Sequence, residues 1–215
     1  TAEGICRAKA VIVATGSHPK DLGVPRESAL RGQGVSNCAS CDGPLFTDQV
    51  VGVVGGGSYA LQEALTLVNH ASQVILFHDQ RTLSAPHTLQ QRVLSHPKVA
   101  ARYNTTVEEI QGDDAVTGAA VRDTLTGEKS QVQLAGMFIY AGLEPNTDFL
   151  KNLLRLDHDN RVPTDGWMRT ELPGLFAAGD LRTESAGLAI TSAGDGAAAA
   201  IGAHGYLEDR VWRQK

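Results

Sequence analysis

The sequence is poor in cysteine, in aromatic residues and in positive charge. Three cysteines among 215 residues are too few for the disulfide framework of a small secreted domain. The net charge of −5 provides no basic surface for nucleic acid or an anionic membrane, and no apolar run approaches the roughly 20 residues that cross a bilayer. With 23 glycines against 5% aromatic residues, the composition suits a soluble α/β protein with many tight turns.

What the chain does contain is an alternation of apolar strands and helical patterns. The strand patterns are continuous and rich in β-branched residues, as is typical of buried parallel strands. Residues 50–77 form one strand–helix–strand unit, and residues 99–134 indicate an antiparallel excursion of short strands. The pattern predicts an α/β fold. The principal predicted elements are strands over 9–14, 50–54, 73–77 and 137–141 and helices over 58–69, 86–94 and 186–208.

Cys38 and Cys41 have the spacing of a redox-active dithiol. Such a pair can close and reopen a disulfide, and the thiolate is the nucleophile in that exchange. Free N–H groups at a helix start would stabilise the thiolate, and Asn37 or Ser36 is predicted to cap that helix. Asp42 follows directly, where its carboxyl group can carry a proton to a leaving thiolate.

Two other interpretations of the cysteines are a zinc half-site and a pair of buried structural thiols. A structural zinc site takes four ligands, and beyond this pair only Cys6 and scattered histidines remain. No metal site is therefore predicted. Cys6 itself is predicted to be a small residue of the core.

A glycine turn follows the strand over 50–54 and opens a helix at Ser58, which is the context of a dinucleotide-binding fingerprint. Gly55 allows the tight turn, Gly57 lets the backbone approach a pyrophosphate, and Ala60 permits close packing of helix on strand. The N-terminus of the helix would receive the phosphates. The alternative is a tight turn that binds no ligand.

The end of the next strand carries the choice between NADH and NADPH. An acidic residue there hydrogen-bonds the ribose 2′-hydroxyl of NAD, whereas arginine accommodates the 2′-phosphate of NADP. The chain has His78, Asp79, Gln80 and Arg81 at this point. Asp79 would repel a phosphate and Arg81 would attract one, so the sequence slightly favours NADH over NADPH.

Two segments near the C-terminus suggest a second nucleotide site. A short apolar strand ends at Gly179 and Asp180, where an acid can bond ribose or ribitol hydroxyls; the alternative is a helix-capping aspartate. Thr191, Ser192 and Ala193 lie near the start of the last helix, where backbone N–H groups can face the electron-rich edge of a flavin.

Together these motifs resemble the low-molecular-weight thioredoxin reductases, and the flavoprotein of alkyl hydroperoxide reductase shares their plan. The resemblance covers nearly the whole chain, in order. It rests on Ala14-Thr15-Gly16, Cys38-Ala-Ser-Cys41-Asp42-Gly43, the Gly55 turn, Gly142-Leu-Glu-Pro-Asn-Thr147, Gly174-Leu-Phe-Ala-Ala-Gly-Asp180 and Ile190-Thr-Ser-Ala-Gly194.

The resemblance implies a Rossmann-like nucleotide-binding domain of three-layer ββα type, inserted into a split and here incomplete FAD-binding domain. Residues 1–18 and 149–215 would belong to the FAD-binding domain and residues 19–148 to the NAD(P)-binding domain with the CxxC pair. The chain would be the C-terminal part of a longer protein, without the family's N-terminal FAD-binding segment. The implied enzyme is a cytoplasmic homodimeric flavoprotein that reduces a thioredoxin-like protein or a small disulfide.

The resemblance also implies roles for individual residues. Cys41 would be the thiol nearest the flavin, Cys38 the thiol that attacks the substrate disulfide, and Asp42 the acid–base group. Asp180, with Gly179, would contact FAD. The remaining residues implied in cofactor contacts are Thr15, Gly16, Thr191, Ser192 and Ala193 on the flavin side and Gly55, Gly57, Ser58, Ala60, His78 and Asp79 on the nicotinamide side.

The sequence departs from the family at the strand end. NADPH-dependent relatives carry His-Arg-Arg where this chain has His78, Asp79 and Gln80, which puts the use of NADPH in doubt. The alternative function is therefore a flavin-dependent dithiol oxidase, or a reductase fed by a donor other than a nicotinamide.

Overall fold

In the computed structural model, residues 4–209 and Trp212 are described. Short 3₁₀ turns over Gly43–Phe46 and Asp148–Leu150 join some of the regular elements. No helix within the described residues is long and apolar enough to cross a membrane. The strands are β1 Val11–Val13, β2 Ser17–Pro19, β3 Val35–Ser36, β4 Val50–Val54, β5 Gln73–Phe77, β6 Val99–Arg102, β7 Thr105–Gln111, β8 Gly118–Asp123, β9 Lys129–Gln133, β10 Gly136–Ile139, β11 Leu143–Pro145 and β12 Leu175–Ala177; the helices are α1 Ala39–Asp42, α2 Ser58–Leu67, α3 His87–Leu94 and α4 Ala189–Asp209.

The chain divides into two compact units. One, here called the inserted unit, is the continuous stretch Pro19–Gly142; the other, the split unit, consists of Thr1–His18 and Leu143–Lys215. The sequence predicted the second boundary at residue 148, whereas the division in the structure falls after Gly142. Which cofactor each unit binds remains a prediction.

The inserted unit is built on a parallel five-stranded sheet in the order β3-β10-β4-β5-β6. Successive side chains of a strand point to opposite faces, and both faces of β5 are apolar: Val74 and Leu76 pack in the cluster on the helical side, whereas Ile75 and Phe77 pack in the cluster on the other side. The continuous apolar strand patterns therefore reflect burial on both faces.

Each face of this sheet has its own cover. On one side α2 contributes Ala60, Leu61, Ala64 and Leu67 to the core, and these residues recur at helical spacing. On the other side lies the antiparallel sheet β7-β8-β9, whose buried residues include Ile110. The predicted α/β fold is confirmed, and this unit has the ββα layers that the resemblance implied. The antiparallel excursion predicted over 99–134 is wrong for its first strand, because β6 extends the main sheet as a parallel neighbour of β5 and only β7, β8 and β9 are antiparallel.

The split unit has much less regular structure. Its parallel strands β1 and β12 pair with each other, with Val13 opposite Ala177, and α4 packs against both strands. The predicted strand over 9–14 is shortened to β1, and the predicted helix over 186–208 begins at Ala189. On β1, Val11 is 47% exposed and Ile12 is 39% exposed.

Candidate functional site

The two cysteines of the CxxC motif form a disulfide. The Sγ atoms of Cys38 and Cys41 are 2.08 Å apart, so this pair is neither a zinc half-site nor a pair of free thiols here. Cys38 is half-buried and Cys41 is exposed. The disulfide is therefore open to an attacking thiolate.

Local hydrogen bonds explain why the disulfide lies at the start of α1. Cys38 is itself the N-cap: its Sγ accepts from the backbone N–H of Cys41 at 3.3 Å. The predicted cap by Asn37 or Ser36 is wrong in detail, because Ser36 Oγ instead accepts from the Cys38 N–H at 3.0 Å. Asp42 is half-buried in the same short helix, one residue after the disulfide.

Cys6 does not belong to this site or to the core. The prediction that it is a small core residue is wrong, because Cys6 is an exposed free thiol. The sequence around it, Gly4-Ile5-Cys6-Arg7, has no helix or strand, so no packed element shields the side chain from water.

The glycine turn joins β4 to α2. Gly55 has φ +136°, and an added Cβ would lie 2.6 Å from the carbonyl oxygen of Tyr140 and 3.0 Å from the Cβ of Ala60. Only glycine fits there, and the small side chain of Ala60 allows the close approach. Ser58 is the first residue of α2 and is exposed.

Gly57 is different because the fold does not require it. It is the N-cap of α2 with φ −86°, and an added Cβ would meet only Ser84 Oγ, at 3.7 Å. A side chain would therefore fit the fold but would lie in the space next to the glycine turn. A glycine that packing does not demand fits a ligand that approaches the backbone closely.

The residues after β5 face the same turn. The imidazole of His78 lies over the turn and has its Nε2 2.9 Å from the carbonyl oxygen of Thr82; a Cβ at Gly56 would lie 2.4 Å from the ring. Asp79 is largely exposed, and its Oδ1 lies 3.5 Å from His78 Nδ1. A carboxylate thus stands at the strand end, as the sequence predicted.

These residues surround one pocket of about 510 Å³ in the inserted unit. That volume is in the range of small-molecule sites. The pocket opens at the carboxyl ends of β4, β5 and β10, where ligands bind in open parallel sheets. Arg81 is not among its walls. The lining includes Gly55, Gly57, His78, Asp79, Ser84 and Tyr140.

Tyr140 and Ser84 also line the pocket, and neither was predicted from the sequence. Tyr140 directly follows β10, and the rule that sites lie beyond the carboxyl ends of parallel strands would have pointed to it. Ser84 comes from an irregular segment, and its backbone N–H donates to the carbonyl oxygen of Gly56 at 2.9 Å. No spacing in the sequence predicts that contact.

In the split unit, Thr15 and Gly16 follow β1, and Gly179 and Asp180 follow β12. Because these strands are parallel neighbours, their carboxyl ends lie side by side. Thr15 Oγ1 donates to the carbonyl oxygen of Asn146 at 2.7 Å. Gly16 has φ +65° and no atom within 4 Å of an added Cβ.

Asp180 is held by hydroxyl groups and does not cap a helix of its own. Its Oδ1 accepts from Ser192 Oγ at 2.9 Å and from Ser185 Oγ at 3.2 Å. Ser192 lies in the first turn of α4 with Thr191, whose hydroxyl donates to Leu188 O at 2.8 Å. Asp180 and Ser192 are therefore together in the structure.

A part-buried ion pair between Asp195 and Arg182 lies beside this strand end. Asp195 on α4 accepts from the Gly179 N–H at 3.1 Å and from both Nε and Nη2 of Arg182. The Arg182 guanidinium lowers the pKa of Asp195, and the Gly179 N–H lowers it further, although burial opposes both. The first turns of α4 are open beside it: Ala193 is exposed, and an added Cβ at Gly194 meets no atom within 4 Å.

Comparison with known proteins identifies the family. Residues 2–196 match the family described as "Pyridine nucleotide-disulphide oxidoreductase", and the chain belongs to that family. It is 42% identical over 208 residues to a thioredoxin reductase of Streptomyces coelicolor and 44% identical over 202 residues to one of Streptomyces clavuligerus. The resemblance noted in the sequence is thereby confirmed.

The fold is also similar to solved structures of thioredoxin reductases. Thioredoxin reductase from Lactococcus lactis matches with a TM-score of 0.86 at 35% identity, covering 93% of this chain and 66% of that one. The enzyme from T. acidophilum matches with a TM-score of 0.84 at 33% identity, covering 94% and 67%. The two Streptomyces matches cover 96% and 94% of this chain but only 65% and 63% of the relatives, so the chain spans less than two thirds of their length.

Proposed function

We propose that this chain is the disulfide-bearing part of a thioredoxin-reductase-like flavoprotein, which passes electrons from NAD(P)H through FAD to the Cys38–Cys41 disulfide and on to a thioredoxin-like protein disulfide. The observation that carries the proposal is that one unit contains both an accessible CxxC disulfide and a glycine-lined pocket at the carboxyl ends of parallel strands. The names of the relatives support the same function.

The nicotinamide nucleotide would bind in the pocket of the inserted unit. Gly57 leaves room for the pyrophosphate, and Ser58 begins the helix beside it. Asp79 would accept a hydrogen bond from the ribose 2′-hydroxyl and repel a 2′-phosphate. Because Arg81 does not line the pocket, NADH is favoured over NADPH.

The residues at the strand ends of the split unit suit the binding of FAD. Asp180 presents a carboxylate at a strand end, and Gly16 and Ala193 leave open surface around it. Asp180 would hold ribitol or ribose hydroxyls, and the chain at Thr191–Ala193 would lie along the ring. When bound, FAD would supply the two-electron carrier between a nicotinamide and a disulfide.

The dithiol would do the chemistry on the substrate. After reduction, the Cys38 thiolate would attack the disulfide of the partner, and Cys41 would resolve the mixed disulfide. Asp42 would move the proton to or from the thiol that leaves or attacks. We further propose a thioredoxin-like protein as partner, with a small disulfide as the alternative substrate, a homodimer and a cytoplasmic location.

The deciding experiment is an anaerobic titration of the FAD-loaded protein with NADH and, separately, with NADPH. Loss of flavin absorbance at near-stoichiometric NADH, followed by the appearance of two thiols per chain, is the expected result. Bleaching by a small dithiol but by neither nucleotide would replace the proposal with a dithiol oxidase or a reductase fed by another donor.

The donor choice has its own test in nucleotide binding. In the Asp79→Arg protein we expect the affinity ratio of NADPH to NADH to rise by about ten-fold or more. A carboxylate that accepts from the 2′-hydroxyl and repels the 2′-phosphate is replaced by a guanidinium that attracts the phosphate. Gly57→Ala should weaken binding of both nucleotides while leaving the unfolding midpoint unchanged, because the fold has room for that methyl group. An unchanged ratio in the Asp79→Arg protein would show that Asp79 does not reach the ribose.

A further inference from the structure

Glu63 lies on α2 and binds a backbone N–H group between the two cysteines. Its Oε2 accepts from the backbone N–H of Ala39 at 2.8 Å and from the hydroxyl of Tyr140 at 3.2 Å. Ala39 is fully buried, so the carboxylate reaches into the packed contact between α1 and α2. No motif in the sequence assigns this residue a role.

Tyr140 fixes the other end of this arrangement. Its ring packs edge-on against Tyr59 with centroids 5.1 Å apart, and it also lines the nucleotide pocket. Burial raises the pKa of Tyr140, and the Glu63 carboxylate raises it further. The phenol therefore keeps its proton and acts as a donor to Glu63.

We propose that Glu63 is a positioning residue for the Cys38–Cys41 couple, which places a negative charge beside the dithiol and thereby sets its acidity and its redox equilibrium. A like charge nearby disfavours the thiolate and raises the thiol pKa. Because the thiolate is part of the reduced state, a disfavoured thiolate shifts the equilibrium towards the disulfide.

The same charge tunes reactivity in two opposing ways. A higher thiol pKa lowers the fraction of thiolate at neutral pH, but a more basic thiolate is the stronger nucleophile. The two effects on the rate of attack therefore partly offset each other. The equilibrium effect remains, and it favours transfer of electrons from the dithiol to another disulfide. This inference concerns the disulfide alone and does not depend on the proposed electron donor.

Other ionisable groups face the same elements and must be held constant. Asp42 belongs to α1, Tyr59 and Tyr140 flank Glu63, and the His70 ring lies 3.4 Å from the position of a Cβ at Gly43. These groups remain in each variant below, so differences between variants report on Glu63.

The experiment equilibrates the chain with a dithiothreitol redox buffer and measures the dithiol fraction by thiol trapping over a range of pH. Each reduction transfers two electrons and two protons from dithiothreitol to the Cys38–Cys41 disulfide and yields the cyclic disulfide of the reagent. In Glu63→Gln, whose amide oxygen can still accept both hydrogen bonds, we expect the more acidic thiol pKa to fall by about one pH unit. The reduction equilibrium constant should rise up to about ten-fold above about pH 8.5, the ordinary pKa of cysteine.

The dependence on pH separates charge from structure. At low pH both thiols are protonated, so Glu63→Gln and the parent protein should reach the same equilibrium. Glu63→Asp, which keeps the charge, should stay closer to the parent than Glu63→Gln does. Glu109→Gln removes an exposed charge from β7 of the same unit and should change neither quantity.

Two results would overturn the inference. One is an unchanged thiol pKa in Glu63→Gln, with an unfolding midpoint equal to that of the parent. The other is a shift in Glu63→Asp as large as that in Glu63→Gln, which would mean that shape rather than charge matters at this position.

Discussion

The two units bury their parallel strands very differently. In the inserted unit, Val51 and Val53 on β4 are completely buried, and cores lie on both faces of the sheet. In the split unit, Val11 and Ile12 on β1 remain 47% and 39% exposed. Both strands have the same continuous β-branched sequence pattern, so the pattern alone does not determine how far a strand is covered.

Parallel sheets normally have both faces covered, and the inserted unit meets that requirement with its own residues. Its pocket and its disulfide therefore lie on a sheet that is packed on both faces. In the split unit, Asp180 and Ser192 are joined by a hydrogen bond, and a part-buried ion pair lies beside them, while apolar side chains of β1 and α4 face solvent. We expect stability to be concentrated in the inserted unit.

The largest expected effect is on the core of the inserted unit. Phe138 is fully buried on β10 and packs edge-on against Phe46, with ring centroids 5.4 Å apart. Phe138→Ala should lower the free energy of unfolding by about 3–5 kcal/mol. Phe149→Ala in the split unit, where the side chain is 61% exposed, should change it by less than about 0.5 kcal/mol. Urea denaturation of both proteins measures the contrast, and equal losses would refute it.

A medium effect is expected at the ion pair of the split unit. Asp195→Asn should lower the free energy of unfolding at neutral pH by about 2 kcal/mol, since it replaces charge-assisted hydrogen bonds to Arg182. The folded pKa of Asp195 lies below the unfolded value of about 3.9. Its contribution is therefore complete above about pH 4 and is lost as pH falls through the folded pKa.

The measurement for Asp195 is the urea midpoint as a function of pH, with the parent protein as reference. The gap between Asp195→Asn and the parent should close in acid. A gap that stays constant to the lowest accessible pH would show that the pair contributes by packing and not by charge.

The smallest effect is expected on the open face of β1. Ile12→Ser should lower the free energy of unfolding by only about 1 kcal/mol, because Ile12 is already 39% exposed. Val53→Ser, the matched change on a covered strand, should be severely destabilising. A loss for Ile12→Ser that grows with protein concentration would show instead that a second copy covers this face.

The sequence predicted those features that depend on local geometry. The turn at Gly55 and the disulfide at Cys38 have fixed spacings between residues that are close in the chain, and each is found where it was expected. The order of strand and helix patterns predicted the α/β class, and the family resemblance implied the ββα layering. The family resemblance added the split between the two units.

Features that depend on contacts between distant residues were not predicted. Glu63 meets Ala39 and Tyr140 across separations of 24 and 77 residues, and no periodicity encodes such a meeting. Cys6 was expected in the core because isolated cysteines are commonly buried, but its segment forms no element that could pack. Exposure at β1 likewise depends on what covers the strand, which its own residues do not specify.

The backbone N–H of Lys20 donates to the carbonyl oxygen of Gly142 at 3.0 Å, so the inserted unit begins and ends at a single point. A stretch whose two ends meet can be removed, transplanted or closed into a ring with a short connector without stretching its own sheet. Because its ends meet, the stretch Pro19–Gly142 can be replaced as a whole by a domain with a different pocket. The two junctions stay in place, and the sequence of the split unit is unchanged.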